Sequence, residues 1–397
     1  MCIRDRYIVD YIRTAFSRSR PRQPERDVFN SLRADDLMAA VYEELVKRTK
    51  INAEEIGDVL TGCAFPLGEN WLYGGRTVSL LAKLPLSVPA CGIDRQCASS
   101  QTTIQYGAME IMTGFSDIVL AGGMEHMTHH PMGEGVNPNP KIGQHPSKFD
   151  AAVAINMGLT AEKLYEEVKD EITKEDMDKW SLRSHQLAAK ALEEGFFKGE
   201  ILPIEVTLPD GTKKVIDVDQ SIRPDTTLEK IAQLKPAFKR KGVITAGNSS
   251  PLNAGAAGVM LMSKEMMEKY NLKPMAKIVS MAVAAVDPSV MGKGPVPASK
   301  LALKRAGLTV DDIDFWEINE AFAIVTLYAI KELGIDPNRV NVKGGAIAIG
   351  HPLGASGARL TGTLARILEL EGGKYGLATL CVGGGQGSAI IIERVEE

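Results

Sequence analysis

Apolar positions along this chain switch repeatedly between a helical period and short extended runs. Tyr7-Ile8-Val9 reads as a first strand. From Ala34 to Lys47 the spacing predicts a helix, with Leu37, Val41, Leu45 and Val46 on one face. It leads through Ile51 to Asp58 into a strand, Val59-Leu60-Thr61-Gly62. Past Cys97-Ala98-Ser99-Ser100 another helix begins. Ile104, Ala108, Ile111 and Met112 share its face and Gly114 ends it. A strand follows, Ile118-Val119-Leu120-Ala121, and then Gly122-Gly123. Strand and helix in alternation are the texture of an α/β fold.

The passage recurs. Ala298 to Ala306 is helical and leads through Leu308 to Phe315 into Trp316-Glu317-Ile318. Ile56 and Ile313 stand 257 positions apart (313 − 56). The same spacing lays Ala98-Ser99-Ser100 on Ala355-Ser356-Gly357, each opening a helix. A duplicated α/β half is the reading. Its second copy closes with a strand from Leu377 to Val382, the turn Gly383-Gly384-Gly385, and a last strand at Ala389 to Ile392. Between the copies, Met124 to Ser147 reads as loop and Leu159 to Phe197 as mostly helical. Pro209-Asp210-Gly211-Thr212 reads as a turn between two short strands, and Ala254 to Met262 as a helix and strand. The predicted organisation is one half from 1–122 and 243–273, an inserted domain at 123–242, and a second half at 274–397.

Composition narrows the partners. A net charge of -4 gives no global case for nucleic acid. No apolar run approaches the length of a membrane span. Cys2, Cys63, Cys91, Cys97 and Cys381 show no regular spacing, which points to reduced thiols and a cytoplasmic setting. Six arginines crowd the first 22 residues, but a strand at Tyr7 leaves too little chain ahead of it for a transit peptide.

Candidate chemistry lies at the turns. Cys97 sits where a helix starts, and free N–H groups and the helix dipole there favour thiolate. A lone cysteine is more commonly a small buried hydrophobe. His351, set among glycines, falls three residues before the repeat position of Cys97, so a pseudo-twofold axis would let the two face each other. Cys381 ends a strand before three glycines, where a thiol titrating near neutral pH or a buried core thiol both fit. Gly383-Gly384-Gly385-Gln386-Gly387 precedes a strand, so it is no dinucleotide fingerprint. Gly354-Ala355-Ser356-Gly357 lacks the lysine of a P-loop. His126, His129 and His130 lack metal-ligand spacing, and no metal is expected.

Four blocks together carry a resemblance. Cys97 in C-A-S-S, N-E-A-F from Asn319, G-G-A-I-A-I-G-H-P-L-G-A-S-G around His351, and C-V-G-G-G-Q-G from Cys381 resemble the signature blocks of thiolases. The likeness spans Tyr7 to Val395 and is strongest to the bacterial fatty-acid-oxidation branch. It implies a five-layered α-β-α-β-α fold of two halves with an inserted loop domain. It implies acyl transfer: cleavage of 3-ketoacyl-CoA by CoA, a co-substrate with no permanently bound cofactor. A short-chain acetoacetyl-CoA enzyme working in the condensing direction is the nearer alternative. Cys97 would be the acylated nucleophile, with His351 as its activator. Asn319 would hold a water beside His351 in one oxyanion site. Cys381 would be the acid/base, and the N–H groups of Cys97 and Gly383 a second oxyanion hole. Arg223 would meet the adenosine phosphate, Ala246 and Ser250 the pantetheine, and Met157, Ala321 and Phe322 the thioester. A ketoacyl-ACP synthase would show a histidine at Asn319 and lack Cys381, and a non-catalytic relative would have lost one of the reactive residues. Asn156 stands where short-chain biosynthetic members often carry histidine, which bears on substrate choice. The resemblance further implies a homodimer or tetramer, and for this type a hydratase/dehydrogenase subunit as partner.

Overall fold

The computed structural model describes residues 4–395, so Cys2 lies outside the described residues. In chain order its strands are β1 (Arg6–Thr14), β2 (Asp58–Gly62), β3 (Cys91–Ile93), β4 (Ile118–His126), β5 (Ile201–Leu202), β6 (Ile204–Thr207), β7 (Lys213–Ile216), β8 (Ala254–Ser263), β9 (Ala276–Ala285), β10 (Phe315–Ile318), β11 (Tyr375–Val382) and β12 (Gln386–Glu393). The first half orders its strands β3-β2-β4-β8-β1 and the second β10-β11-β12-β9. Among the described residues the two half-sheets join where Tyr7 and Ile8 of β1 face Lys277 and Ala276 of β9. Within each half, parallel pairs (β2 with β4, β10 with β11) give way to antiparallel ones (β4 with β8, β11 with β12).

The duplication is visible in the element starts. Asp58 and Phe315, Ser99 and Ser356, and Ile118 and Tyr375 all stand at the spacing of 257 (375 − 118). The helices Ser99–Thr113 and Ser356–Glu371 form the central layer. Both are buried through most of their first three turns, small and hydroxyl residues included. The helices Ala34–Thr49 and Pro295–Ala306 cover the outer faces of the two half-sheets. This is the expected α-β-α-β-α layering.

Two local expectations are corrected. The strand at Ile118 does not stop at Gly123: Met124, Glu125 and His126 continue it, paired with Ala256, Gly255 and Ala254 of β8. Ala254 to Met262 is one strand, not a helix followed by a strand. β8 lies between β1 and β4 with every residue buried, so both of its faces are apolar and periodicity carries no signal.

The inserted segment holds the helices Met157–Val168 and Lys174–Glu193 and the hairpin β6–β7. It is tied to the halves by buried charge. β5 pairs parallel with the end of β1, and the buried Arg13 guanidinium donates to Glu200 (2.8 Å) and to both oxygens of Asp219 (2.7 and 2.9 Å). At the other end stands Glu320 of the N-E-A-F block. Its carboxylate accepts from Trp180 Nε1 (2.9 Å), Ser184 Oγ (2.7 Å), Asn341 Nδ2 (2.9 Å) and Ile347 N (3.1 Å). Glu320→Ala would leave these buried donors unpaired. The expected loss is about 3 kcal/mol, read as a lower urea midpoint at unchanged m-value. A change within about 0.5 kcal/mol would overturn this account of Glu320.

Candidate active site

The chain reaches Cys97 through a strained residue. Gln96 has a φ of 46°, the left-handed region that side chains other than glycine rarely enter. Its neighbours hold it there. Gln96 N donates to Asp94 Oδ1 (2.7 Å) and Nε2 to Ala64 O (3.1 Å). Ser99 Oγ donates to Gln96 O (2.7 Å) and accepts from Arg95 N (3.0 Å). The turn Gln96–Ala98 then runs into the helix Ser99–Thr113.

The Cys97 thiol is buried. Burial pushes it up to about 12, against the N–H groups of Gly383 and of Cys97 itself, which pull it down. Desolvation of the charged form thus opposes the donors at the helix start. Cys381 is the last residue but one of β11 and is fully buried, and burial, with Cys97 close by, pushes its thiol well up.

His351 is buried beside Ser356, with Nδ1 and Oγ 2.6 Å apart. Ser356 Oγ donates its one proton to Pro352 O (2.9 Å), so it accepts from Nδ1–H and leaves Nε2 as the acceptor nitrogen. Burial lowers the imidazole to about 3, with the Arg359 charge adding to it, so His351 is neutral at rest. Its backbone N–H donates to Asn253 Oδ1 (2.8 Å). The preceding Gly350 has a φ of 121°, and a Cβ there would sit 2.8 Å from the Asn253 side chain. Asn319 Nδ2 lies 3.3 Å from His351 Nε2, and Asn319 Oδ1 is buried without a partner.

The two groups are joined where the central helices begin. Ala358 N donates to Ser100 Oγ (2.9 Å), and a Cβ on Gly357 would stand 2.5 Å from Gln101 N. Beneath them, Glu125 accepts from Ala64 N (2.9 Å) on the cysteine side and from Gly354 N (3.0 Å) on the histidine side. Burial raises this carboxyl to about 7.

Of the residues expected to meet CoA, two line one cavity. A cavity of about 450 Å³ is lined by Arg223 and Ala246, among others. Ser250 lies between two of its lining residues, Ser249 and Pro251, and its Oγ donates to Ala321 O (3.2 Å). Phe322 is buried, edge-on to Phe238 at 6.0 Å. Met157 opens a helix capped by Asn156 and packs on the apolar cluster that holds Ala321 and Phe322. The three histidines are otherwise engaged. His126 stacks on His129 at 3.7 Å, His129 Nδ1 meets Glu69 (2.6 Å), and Glu69 N donates to His130 Nε2 (3.3 Å). Asn253, Glu125 and Gln96 were not foreseen; Asn253 and Glu125 are placed by contacts distant in sequence, and Gln96 by its turn and by Ala64.

Residues 6–265 match the family described as thiolase, N-terminal domain, and residues 272–394 that described as thiolase, C-terminal domain. The chain belongs to the thiolase family. It is 47% identical over 397 residues to the 3-ketoacyl-CoA thiolase of Marinobacter nauticus, covering 99% of both chains. Among solved thiolases it is similar to human mitochondrial 3-ketoacyl-CoA thiolase, at TM-score 0.88 and 37% identity, covering 99% of both chains. The same figures for TM-score and identity hold for that human enzyme in complex with CoA, with 99% and 98% covered.

A protonated resting Cys97 has a measurable consequence. The rate of its alkylation by iodoacetamide should climb with pH between about 6 and 9, because the thiolate fraction grows tenfold per unit below the thiol's pKa. A plateau below about pH 7 would show a thiolate already formed. Ser356→Ala, which frees the imidazole to take the other tautomer, should slow that alkylation about tenfold or more at pH 7.

Proposed function

We propose that the protein cleaves 3-ketoacyl-CoA with CoA, giving acetyl-CoA and a shortened acyl-CoA, as an acetyl-CoA C-acyltransferase of fatty-acid β-oxidation. One observation carries the reading. Two buried thiols lie close together, one facing the Gly383 N–H, at a junction that also holds a neutral, tautomer-fixed imidazole.

Breaking the C2–C3 bond requires a nucleophile at C3, an acid for C2 and donors for charge on two oxygens. Cys97 attacks C3 as its proton passes to His351 Nε2. The C2–C3 bond breaks, and the carbanion takes the Cys381 proton and leaves as acetyl-CoA. The thiol of incoming CoA gives its proton to Cys381 and attacks the acyl-enzyme. Acyl-CoA departs and His351 returns its proton to Cys97. A thioester intermediate suits this exchange, since it passes an acyl group between sulfurs at little energetic cost. Asn319, with a held water and His351 Nε2–H, serves the thioester oxygen. The N–H groups of Cys97 and Gly383 serve the acyl oxygen. Each such donor contributes roughly 3 kcal/mol. Arg223, Ala246 and Ser250 hold the CoA chain, and Met157, Ala321 and Phe322 surround the thioester. Remote binding of this kind positions the reacting end.

The halves and the inserted 123–242 segment act as one catalytic body, and the active form is a homodimer or tetramer in the cytoplasm. Support for the oligomer is β3, an edge strand packed on the turn Tyr73–Gly75, with Trp71, Tyr73 and Leu86 exposed. The proposal extends to a hydratase/dehydrogenase partner of a β-oxidation complex on resemblance alone.

Cleavage of C4 and C16 3-ketoacyl-CoA should both proceed with ping-pong kinetics. Cleavage confined to C4 would instead favour the acetoacetyl-CoA reading. Cys97→Ser should accumulate no acyl-enzyme, and Cys381→Ala should lose proton exchange at C2 of acetyl-CoA. A normal acylation burst in the first variant, or unchanged exchange in the second, would reassign that role.

A further inference from the structure

The cavity of about 450 Å³ gathers more positive charge than its own walls balance. Arg18 and Arg223 both line it, with Lys230 and His185 nearby. Among the described residues no carboxylate bonds the side chain of Arg18 or of Arg223. Asp225, the acid on the wall, lies beside Lys230 (3.7 Å). His185 is neutral: burial lowers it to about 4, with Arg223 adding to the shift, and its Nδ1 accepts the Arg223 N–H (3.3 Å).

Arg18 is half-buried, and its backbone neighbourhood is fixed. Ser17 N donates to Ala254 O (2.9 Å), Ser19 N to Leu252 O (2.8 Å) and Arg20 N to Thr128 Oγ1 (2.8 Å). The backbone that carries the side chain is thus fixed beside the cavity. Burial first, and then Arg223, Arg20 and Arg26, depress its guanidinium to about 10, with no acid opposing them. A partly desolvated cluster of like charges is unfavourable until an anion joins it.

We propose that Arg18 is a second phosphate-binding residue, which with Arg223 clamps the 3′-phosphate of CoA. The inference rests on the CoA reading of this cavity. Two guanidinium groups fit a monoester phosphate better than either phosphorus of the pyrophosphate. The monoester carries nearly two negative charges at neutral pH, and each pyrophosphate phosphorus carries one. Planar guanidinium forks also meet phosphate oxygens in pairs, so the geometry rewards arginine over lysine.

The test compares CoA with 3′-dephospho-CoA as the acyl acceptor in the full-length enzyme. Arg18→Gln should raise KM for CoA about tenfold and leave KM for dephospho-CoA within about twofold. Turnover with dephospho-CoA also shows that the variant is folded. Should Arg18→Gln fail to fold, Arg18→Lys is read by the same ratio, with a smaller rise expected for CoA. An unchanged KM for CoA overturns the clamp. An equal rise for both acceptors also overturns it, because the arginine then serves the pyrophosphate. If the wild-type enzyme shows no CoA-dependent cleavage, the functional reading falls and takes the clamp with it. Normal wild-type cleavage with an indifferent Arg18 variant removes the clamp alone.

Discussion

Everything at this site depends on two helix starts lying closer than side chains usually permit. The helices Ser99–Thr113 and Ser356–Glu371 meet with Gly357 against the Gln101 backbone and Ala358 N bonded to Ser100 Oγ. Any side chain at 357 would force them apart. Each helix is preceded by a turn that carries one reactive residue, so their separation sets the relation of Cys97 to His351. The small residues in both starts are therefore packing requirements before they are chemistry. Duplication of one α/β unit makes this contact self-consistent, since each half presents the same kind of helix start to the other.

Buried acids then fix the turns. Glu125 bonds Ala64 N and Gly354 N, one from each half, and Ala64 O in turn holds Gln96. Glu320 binds the inserted helix Lys174–Glu193 to Asn341 and to Ile347, ahead of His351. Arg13 binds Glu200 and Asp219 of the same insertion. Such groups add little net stability compared with apolar packing, because their desolvation is costly. Their value here is geometric: a carboxylate with four fixed donors leaves its neighbours one arrangement.

Much of this was legible in the chain. The 257-residue spacing, read at Ile56 and Ile313 and at Ala98 and Ala355, recurs at three pairs of element starts, because strands and helices that pack alike keep their lengths. The reactive residues sit in glycine-rich blocks whose type is specific. The strand Ala254–Ser263 was misread because burial on both faces erases periodicity. The extension of β4 to His126 was hidden in residues that look like loop, since Glu125 and His126 find their partners far away in sequence. The protonation states were not legible for a similar reason. A helix start is a local feature, whereas desolvation of Cys97 and Cys381 is imposed by the other half of the fold.

The neutral resting pair has a chemical logic. Separating charge between a buried thiol and a buried imidazole costs desolvation of two ions, and at rest the Gly383 and Cys97 N–H groups offset only part of it. The cost falls only when a carbonyl enters to carry the negative charge onto an oxygen held by the Gly383 and Cys97 N–H groups. Proton transfer to His351 is then coupled to attack rather than preceding it. A thiol that ionises only in that complex is also spared the oxidation to which standing thiolates are prone. Burial, which opposes reactivity in the free enzyme, in this way confines reactivity to the substrate complex, where the same low-polarity surroundings strengthen each donor.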